Sequence, residues 1–233
     1  MSVRIAPRDT TTRAPRCDPT TAVTRSLLGY GVVAGPLYVV VSFVQGVTRP
    51  GFDLARHDTS LLANGDFGWI QSLNLVVSGL MVVAAAVGLA RALGRSSRWA
   101  PRLLAGYGVG LVGAGLFRAD PSFGFPQGAP DGPPSAMSGH GALHLATAGI
   151  GFACLIAACL VMGRWFAARD RSGWALASRA TGVVFLAGFV GVAAGSGNPA
   201  TVLGFWVAVL VAWAWLTALS VSFYRRPAIS GSR

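Results

Sequence analysis

Six apolar runs, joined by connections that alternate between arginine-rich and nearly arginine-free, leave this chain few folds to adopt. The runs lie near Leu27–Val47, Trp69–Leu93, Leu103–Phe117, His140–Gly163, Ala175–Gly195 and Val202–Phe223. Most supply the roughly 20 residues that a helix needs to cross about 30 Å of hydrocarbon. The third is shorter, bounded by Pro101 and Arg102 on one side and by Arg118 on the other. Bilayer hydrocarbon offers no water to backbone amides, so a spanning segment must satisfy them within itself. Barrel strands would alternate in polarity over about ten residues, whereas these runs are apolar all round. The expected fold is therefore all-α, a six-helix transmembrane bundle over residues 27–224. A disordered basic tail (1–26) is expected before it and a short tail (225–233) after it.

Every one of the 19 basic residues is Arg and every one of the eight acidic residues is Asp. Counting alternate connections and the two tails together places 16 arginines on one side, leaving Arg49, Arg56 and Arg118 on the other. Basic connections stay in the cytoplasm, so both termini are expected to be cytoplasmic. Asp53, Asp58, Asp66, Asp120 and Asp131 then fall outside. The net charge of +11 is spread over membrane-flanking segments. It is explained by anionic lipid headgroups as partners and does not call for nucleic acid. The absence of Lys and Glu beside abundant Ala, Gly and Arg fits a GC-rich bacterial genome, and hence a multi-pass protein of a bacterial plasma membrane.

The first run is long and no small-x-small cleavage pattern follows it, so it reads as a retained anchor rather than a removed signal peptide. Pro36 is expected to kink it. Cys17, Cys154 and Cys159 make no disulfide framework. Gly106 with Gly110, and Gly191 with Gly195, are spaced for close helix approach, within one chain or in a homo-oligomer. Trp69, Trp99, Trp165, Trp174 and Tyr224 sit where an interfacial aromatic belt belongs.

Polar residues gather on the expected outer side. Gln71, Asn74 and Ser78 share a helical face, which should turn toward the bundle or a watery cavity and not toward lipid. His140 and His144 are one turn apart, a spacing that can offer two nitrogens to one metal. His57 is the only other histidine. With Asp120 as a further ligand or base, the three would suit Zn²⁺ or another divalent ion whose bound water attacks an ester or amide. In that reading Ser60 orients water or an oxyanion, and Asp58, Asn64, Gln71 and Asn74 bind substrate. The alternative is that the histidines cap helices and hold loops.

The segments Arg56-His57-Asp58-x-Ser60-Leu61-Leu62, Gly68-Trp69-Ile70-Gln71, Phe117-Arg118-Ala119-Asp120-Pro121 and Gly139-His140-Gly141-x-x-His144 resemble the bacterial DUF998 family of integral membrane proteins, over about residues 25–225. That resemblance implies a six-helix membrane protein and supplies no reaction. The set His57, Ser60, Asp120, His140 and His144 is also similar to the polar constellation of alkaline ceramidase-like membrane hydrolases, which implies zinc. It departs from them in residue order and in helix count. Three expectations follow: an accessory or lipid-associated protein with an outward-facing polar site, a metal-dependent hydrolase of a lipid or envelope substrate, and a small-solute transporter using the Gln71/Asn74/Ser78 face.

Overall fold

A computed structural model describes residues 19–225, and six α-helices account for most of them: α1 (Pro19–Thr48), α2 (Gly68–Leu93), α3 (Trp99–Leu116), α4 (Gly139–Ala167), α5 (Ser172–Ala194) and α6 (Pro199–Arg225). Among the described residues the only β-type pairing is an isolated bridge between Ser122 and Phe125. The all-α expectation holds. Helix α1 begins at Pro19, so it takes in residues 19–26 that were assigned to the tail. Residues 1–18 and 226–233, with Cys17, lie outside the described residues.

Five helices are long and apolar enough to span a membrane; α3 is the exception among the six. It has 18 residues, and its first turn is spent on Trp99, Pro101 and Arg102. The α-helix runs unbroken through Pro36.

Each helix packs on its neighbours in sequence, and α6 returns to pack on α1, closing a ring. The connections at one end are short: residues 94–98 between α2 and α3, and 168–171 between α4 and α5. The described chain also starts and finishes at that end. The two long connections, residues 49–67 and 117–138, lie at the other end together with the tight 195–198 turn. The short-loop end carries stacked arginines and tryptophans. The Arg169 guanidinium lies 3.9 Å from the Trp165 ring centroid, and that of Arg102 lies 5.7 Å from Trp99. Such pairs suit an interface where the ring is half in lipid and the cation stays wet.

Two glycine contacts set the spacing around α3. A Cβ on Gly79 of α2 would lie 2.6 Å from the Gly108 carbonyl oxygen of α3. On the opposite face, a Cβ on Gly110 would lie 2.6 Å from the Gly151 Cα of α4. Without side chains the backbones approach closely and gain dispersion contacts, the main cohesion available between helices in lipid. Gly106 faces Cys154 of α4, so the Gly106/Gly110 pair packs inside the protomer. Gly191 and Gly195 instead face Thr201, where α5 turns into α6. Cys154 and Cys159 are free thiols on α4.

Gly110→Ala should therefore lower the melting temperature of the purified protein by an overpacking penalty of roughly 1–3 kcal/mol. Gly204→Ala, where a Cβ meets nothing within 4 Å, should leave it unchanged or raise it slightly. Equal melting temperatures for the two variants would contradict the close α3–α4 approach.

Candidate functional site

The three histidines do not converge. His57 is 3% exposed, and both its ring nitrogens are committed to backbone. Nδ1 accepts the Asp53 N–H at 2.8 Å, and so carries no proton. Nε2 then donates to the Phe123 carbonyl at 2.9 Å, across 66 positions of sequence. No lone pair is left for a metal. His140 is exposed, its ring against Phe117 at 5.9 Å. His144, one turn deeper, is 4% exposed. Its Nδ1 sits between the Ala114 and Phe117 carbonyl oxygens at 3.1 and 2.9 Å, where it must donate. Among the described residues no group of three or more His, Cys, Asp or Glu side chains is placed to hold a metal ion. The ligand set His57/His140/His144 is thus corrected: one member latches two loops, one is exposed, and one caps the end of α3.

Asp120 is similarly occupied. Its Oδ2 accepts the Ser138 N–H at 3.0 Å, while Ser138 Oγ accepts the Gly141 N–H at 3.0 Å. A carboxylate at the start of α4 complements its unpaired amides and the positive end of its dipole. A Cβ on Gly141 would overlap that carboxylate. Asp120 therefore anchors α4, and it does not border the cavity described below.

The Gln71/Asn74/Ser78 face meets α1 and not open space. Gln71 is fully buried. Its Oε1 accepts from Gln45 Nε2 at 2.9 Å, and its Nε2 donates to Ser42 Oγ at 3.1 Å. Asn74 Nδ2 lies 3.2 Å from the Tyr38 carbonyl oxygen, from Ser42 Oγ and from Gln71 Oε1. These residues form an interhelical ladder, and neither Gln71 nor Asn74 lines the cavity described below. Asn64 is also used structurally: its Nδ2 donates to the Ala119 carbonyl at 3.1 Å. Its own carbonyl, with that of Leu62, accepts the Arg49 guanidinium at 2.7 and 2.5 Å. Ser42, Gln45 and Tyr38 were not singled out from sequence. Their three- and four-residue spacing on α1 mirrors the α2 set and was the available signal.

The structure does provide a central cavity, which sequence reasoning did not locate. It measures about 290 Å³ and is bordered by all six helices and by the short 3₁₀ turn at Thr59–Ala63. Its walls are mainly aromatic and small apolar side chains, with Tyr107, Phe152, Phe185, Phe205 and Trp213 prominent. Toward the long-loop end the lining turns polar: Asp58, Thr59, Ser60, the Tyr38 hydroxyl's end and His144. The Tyr38 hydroxyl and Thr59 Oγ1 are 3.1 Å apart. Helices α4 and α5 are tight near Gly163 and Gly182. Toward the long loops, the lining residues Leu145 of α4 and Ala193 of α5 are exposed, as is Ser196 just beyond. The cavity thus reaches the molecular surface between those helix ends.

Over the long-loop end sits a compact cover. Phe125 is buried, with Phe52 edge-on at 5.1 Å, His57 at 5.6 Å and the Arg49 guanidinium at 5.0 Å. Phe123 packs where a Cβ on Gly197 would fall, tying the second long loop to the α5–α6 turn. Gly197 has φ +76, so the position suits glycine on both counts.

Two acceptors at the cavity rim have no donor. Asp58 Oδ1 is buried without a hydrogen-bond partner, and the carboxylate makes no capping bond to the 3₁₀ turn it precedes. In the tautomer that donates from Nδ1, the lone pair lies on His144 Nε2, which has no hydrogen-bond partner among the described residues. Burial pushes the Asp58 carboxyl up from the usual 3.8 to about 6.

A family model described as "Protein of unknown function (DUF998)" matches residues 32–222. No curated protein and no solved structure matches the chain, so the likeness to ceramidase-like hydrolases gains no support.

The Asp58 displacement, from 3.8 to about 6, costs the ionised form roughly 3 kcal/mol in the folded state. Its folded pKa is raised, so the stability tied to the neutral carboxyl is complete below pH 3.8 and is lost as pH rises through about 6. Melting temperatures of the wild type and Asp58→Asn should therefore converge near pH 4. By pH 7.5 the variant should be the more stable, by up to about 3 kcal/mol. Parallel pH profiles for the two proteins would exclude a shifted Asp58.

Proposed function

Given that the chain belongs to the DUF998 family of proteins of unknown function, we propose that this multi-pass membrane protein holds a small amphiphilic molecule in its central cavity, as a lipid-associated binding protein. The observation that carries the reading is the cavity's division into aromatic walls and a polar rim with unpartnered acceptors. A concave apolar site with a few convergent polar groups is the usual form of a ligand site. At about 290 Å³, the volume suits a single chain with a compact head. Exposed lining residues between α4 and α5 would admit such a molecule from the surrounding lipid.

This reading is preferred to a hydrolase because His57 and Asp120, the proposed ligand and base, already have structural partners. It is preferred to a transporter because the polar face of α2 is sealed against α1 and lines no path.

The same reading places the protein in a bacterial plasma membrane with both termini cytoplasmic and the polar rim outside. Arg91, Arg95, Arg98, Arg102, Arg164, Arg169, Arg171 and Arg179 cluster at the short-loop end, which supports that orientation. Single cysteines placed at Ser97 and at Gln127, in a background without Cys17, Cys154 and Cys159, should separate cleanly. The Gln127 site should react with a membrane-impermeant maleimide on intact cells and the Ser97 site only after lysis. The reverse pattern would invert the orientation.

Occupancy is tested by native mass spectrometry of protein released from its membrane. The wild type should retain a low-mass amphiphile, and Ala148→Phe, which fills the cavity wall, should lose it without a fall in melting temperature. A wild type with no adduct, from native membrane or after incubation with single-chain amphiphiles, would remove the basis for a binding role.

A further inference from the structure

The binding reading can be taken further, because the rim fixes what the ligand's head must supply. Asp58 borders the cavity with one carboxylate oxygen buried and unpartnered. Among the described residues no arginine borders the cavity. Of the loop cations, Arg49 is spent on the Leu62 and Asn64 carbonyls. His144 presents a second acceptor, since the proton on Nδ1 is held by two α3 carbonyls. The Tyr38 and Thr59 hydroxyls share one hydrogen bond, and Ser60 adds a third hydroxyl to the rim. The rim therefore offers two unpartnered acceptors and a negative charge without a counter-charge, beside hydroxyls that can donate or accept.

An anionic head would find hydroxyls to bind but would meet the like charge of Asp58 with no cation to offset it. A hydroxyl would satisfy one acceptor and leave the carboxylate uncompensated. An ammonium with N–H groups would satisfy both acceptors and supply the missing charge in surroundings where charge-assisted hydrogen bonds are strongest. Resting on the cavity-binding reading, we infer that the bound amphiphile carries a hydrogen-bond-donating cationic head, a primary or secondary ammonium, seated between Asp58 and His144. Its apolar chain lies along Phe152, Phe185 and Trp213.

The test is equilibrium dialysis of the protein in nanodiscs of zwitterionic lipid at pH 7.5, with empty discs subtracted. The probes are decylamine, decanol, decanoate and decyltrimethylammonium. Decylamine should bind best. Decyltrimethylammonium, which has the charge but no N–H, and decanol should each be weaker by about tenfold or more, and decanoate should not exceed empty discs. Asp58→Asn should weaken decylamine by about tenfold while leaving decanol within a few-fold. If decanoate or decanol matches decylamine, or if Asp58→Asn binds decylamine like the wild type, the head assignment is overturned and the cavity reading stands. If none of the four probes binds, the cavity reading falls and takes this inference with it. The probe series on the wild type decides the matter alone should Asp58→Asn fail to fold.

Discussion

A closed ring of six helices cannot fill its own centre, and much of this structure follows from that. Helices with side chains are about 10 Å across, so six in a ring leave a gap on the order of one helix diameter. Side chains must occupy it. Here Tyr38, Tyr107, Phe152, Phe185, Phe205 and Trp213 reach inward, and the Tyr38 and Tyr107 rings stand 5.1 and 6.0 Å from Trp213. Large rings fill volume at low rotamer cost but pack imperfectly with one another, and about 290 Å³ remains. The glycine contacts on both faces of α3 narrow the ring, and the void would be larger without them.

Ring closure also explains where the polar residues went. Two helices joined by a long loop need something beyond apolar contact to fix their register, because lipid tails compete for apolar surface as well as a neighbour does. The ladder from Ser42 and Gln45 to Gln71 and Asn74 provides it for α1 and α2. Such bonds average well under 1 kcal/mol each in a membrane, so their value lies in specifying one alignment. The same logic applies to the loops. The His57 bridge to Phe123 and the Asp120 tie to Ser138 turn two Gly/Pro-rich connections into a fixed cover.

The sequence pattern was informative where the physics is local. Apolar length and arginine alternation located all six helices, and the period of Gln71, Asn74 and Ser78 marked a face turned inward. Its boundary at Leu27 missed the first turns of α1, because Pro19 to Arg25 are polar enough to resemble a tail although they continue the helix. The site was less legible because its decisive partners are distant and are backbone. Nothing in the spacing of His140 and His144 reveals that the second lies between the last carbonyls of α3. Nor does composition show that the Phe123 carbonyl waits for His57 across 66 positions. A histidine triplet read from sequence implies convergence, whereas here His57 and His144 are held by different backbone groups and His140 is exposed against the Phe117 ring. The cavity was invisible for a related reason: it belongs to ring closure between α1 and α6, a contact between the two ends of the chain.

The rim is one of the places where the economy of the rest breaks down. Elsewhere at the long-loop end many buried donors and acceptors are paired, even at the cost of committing all of His57 and Arg49, although Gln45 Oε1 and Ser72 Oγ are also left without partners. Asp58 Oδ1 is the carboxylate oxygen among these unpartnered atoms, and an unsatisfied buried polar group costs about 1–3 kcal/mol, more where it is charged. A Ser or Asn at position 58 would sit before the 3₁₀ turn with less expense. Local rules of this kind are broken mainly where a function compensates for the loss. On the binding reading, the compensation comes from a molecule that brings hydrogen-bond donors into a mainly aromatic chamber.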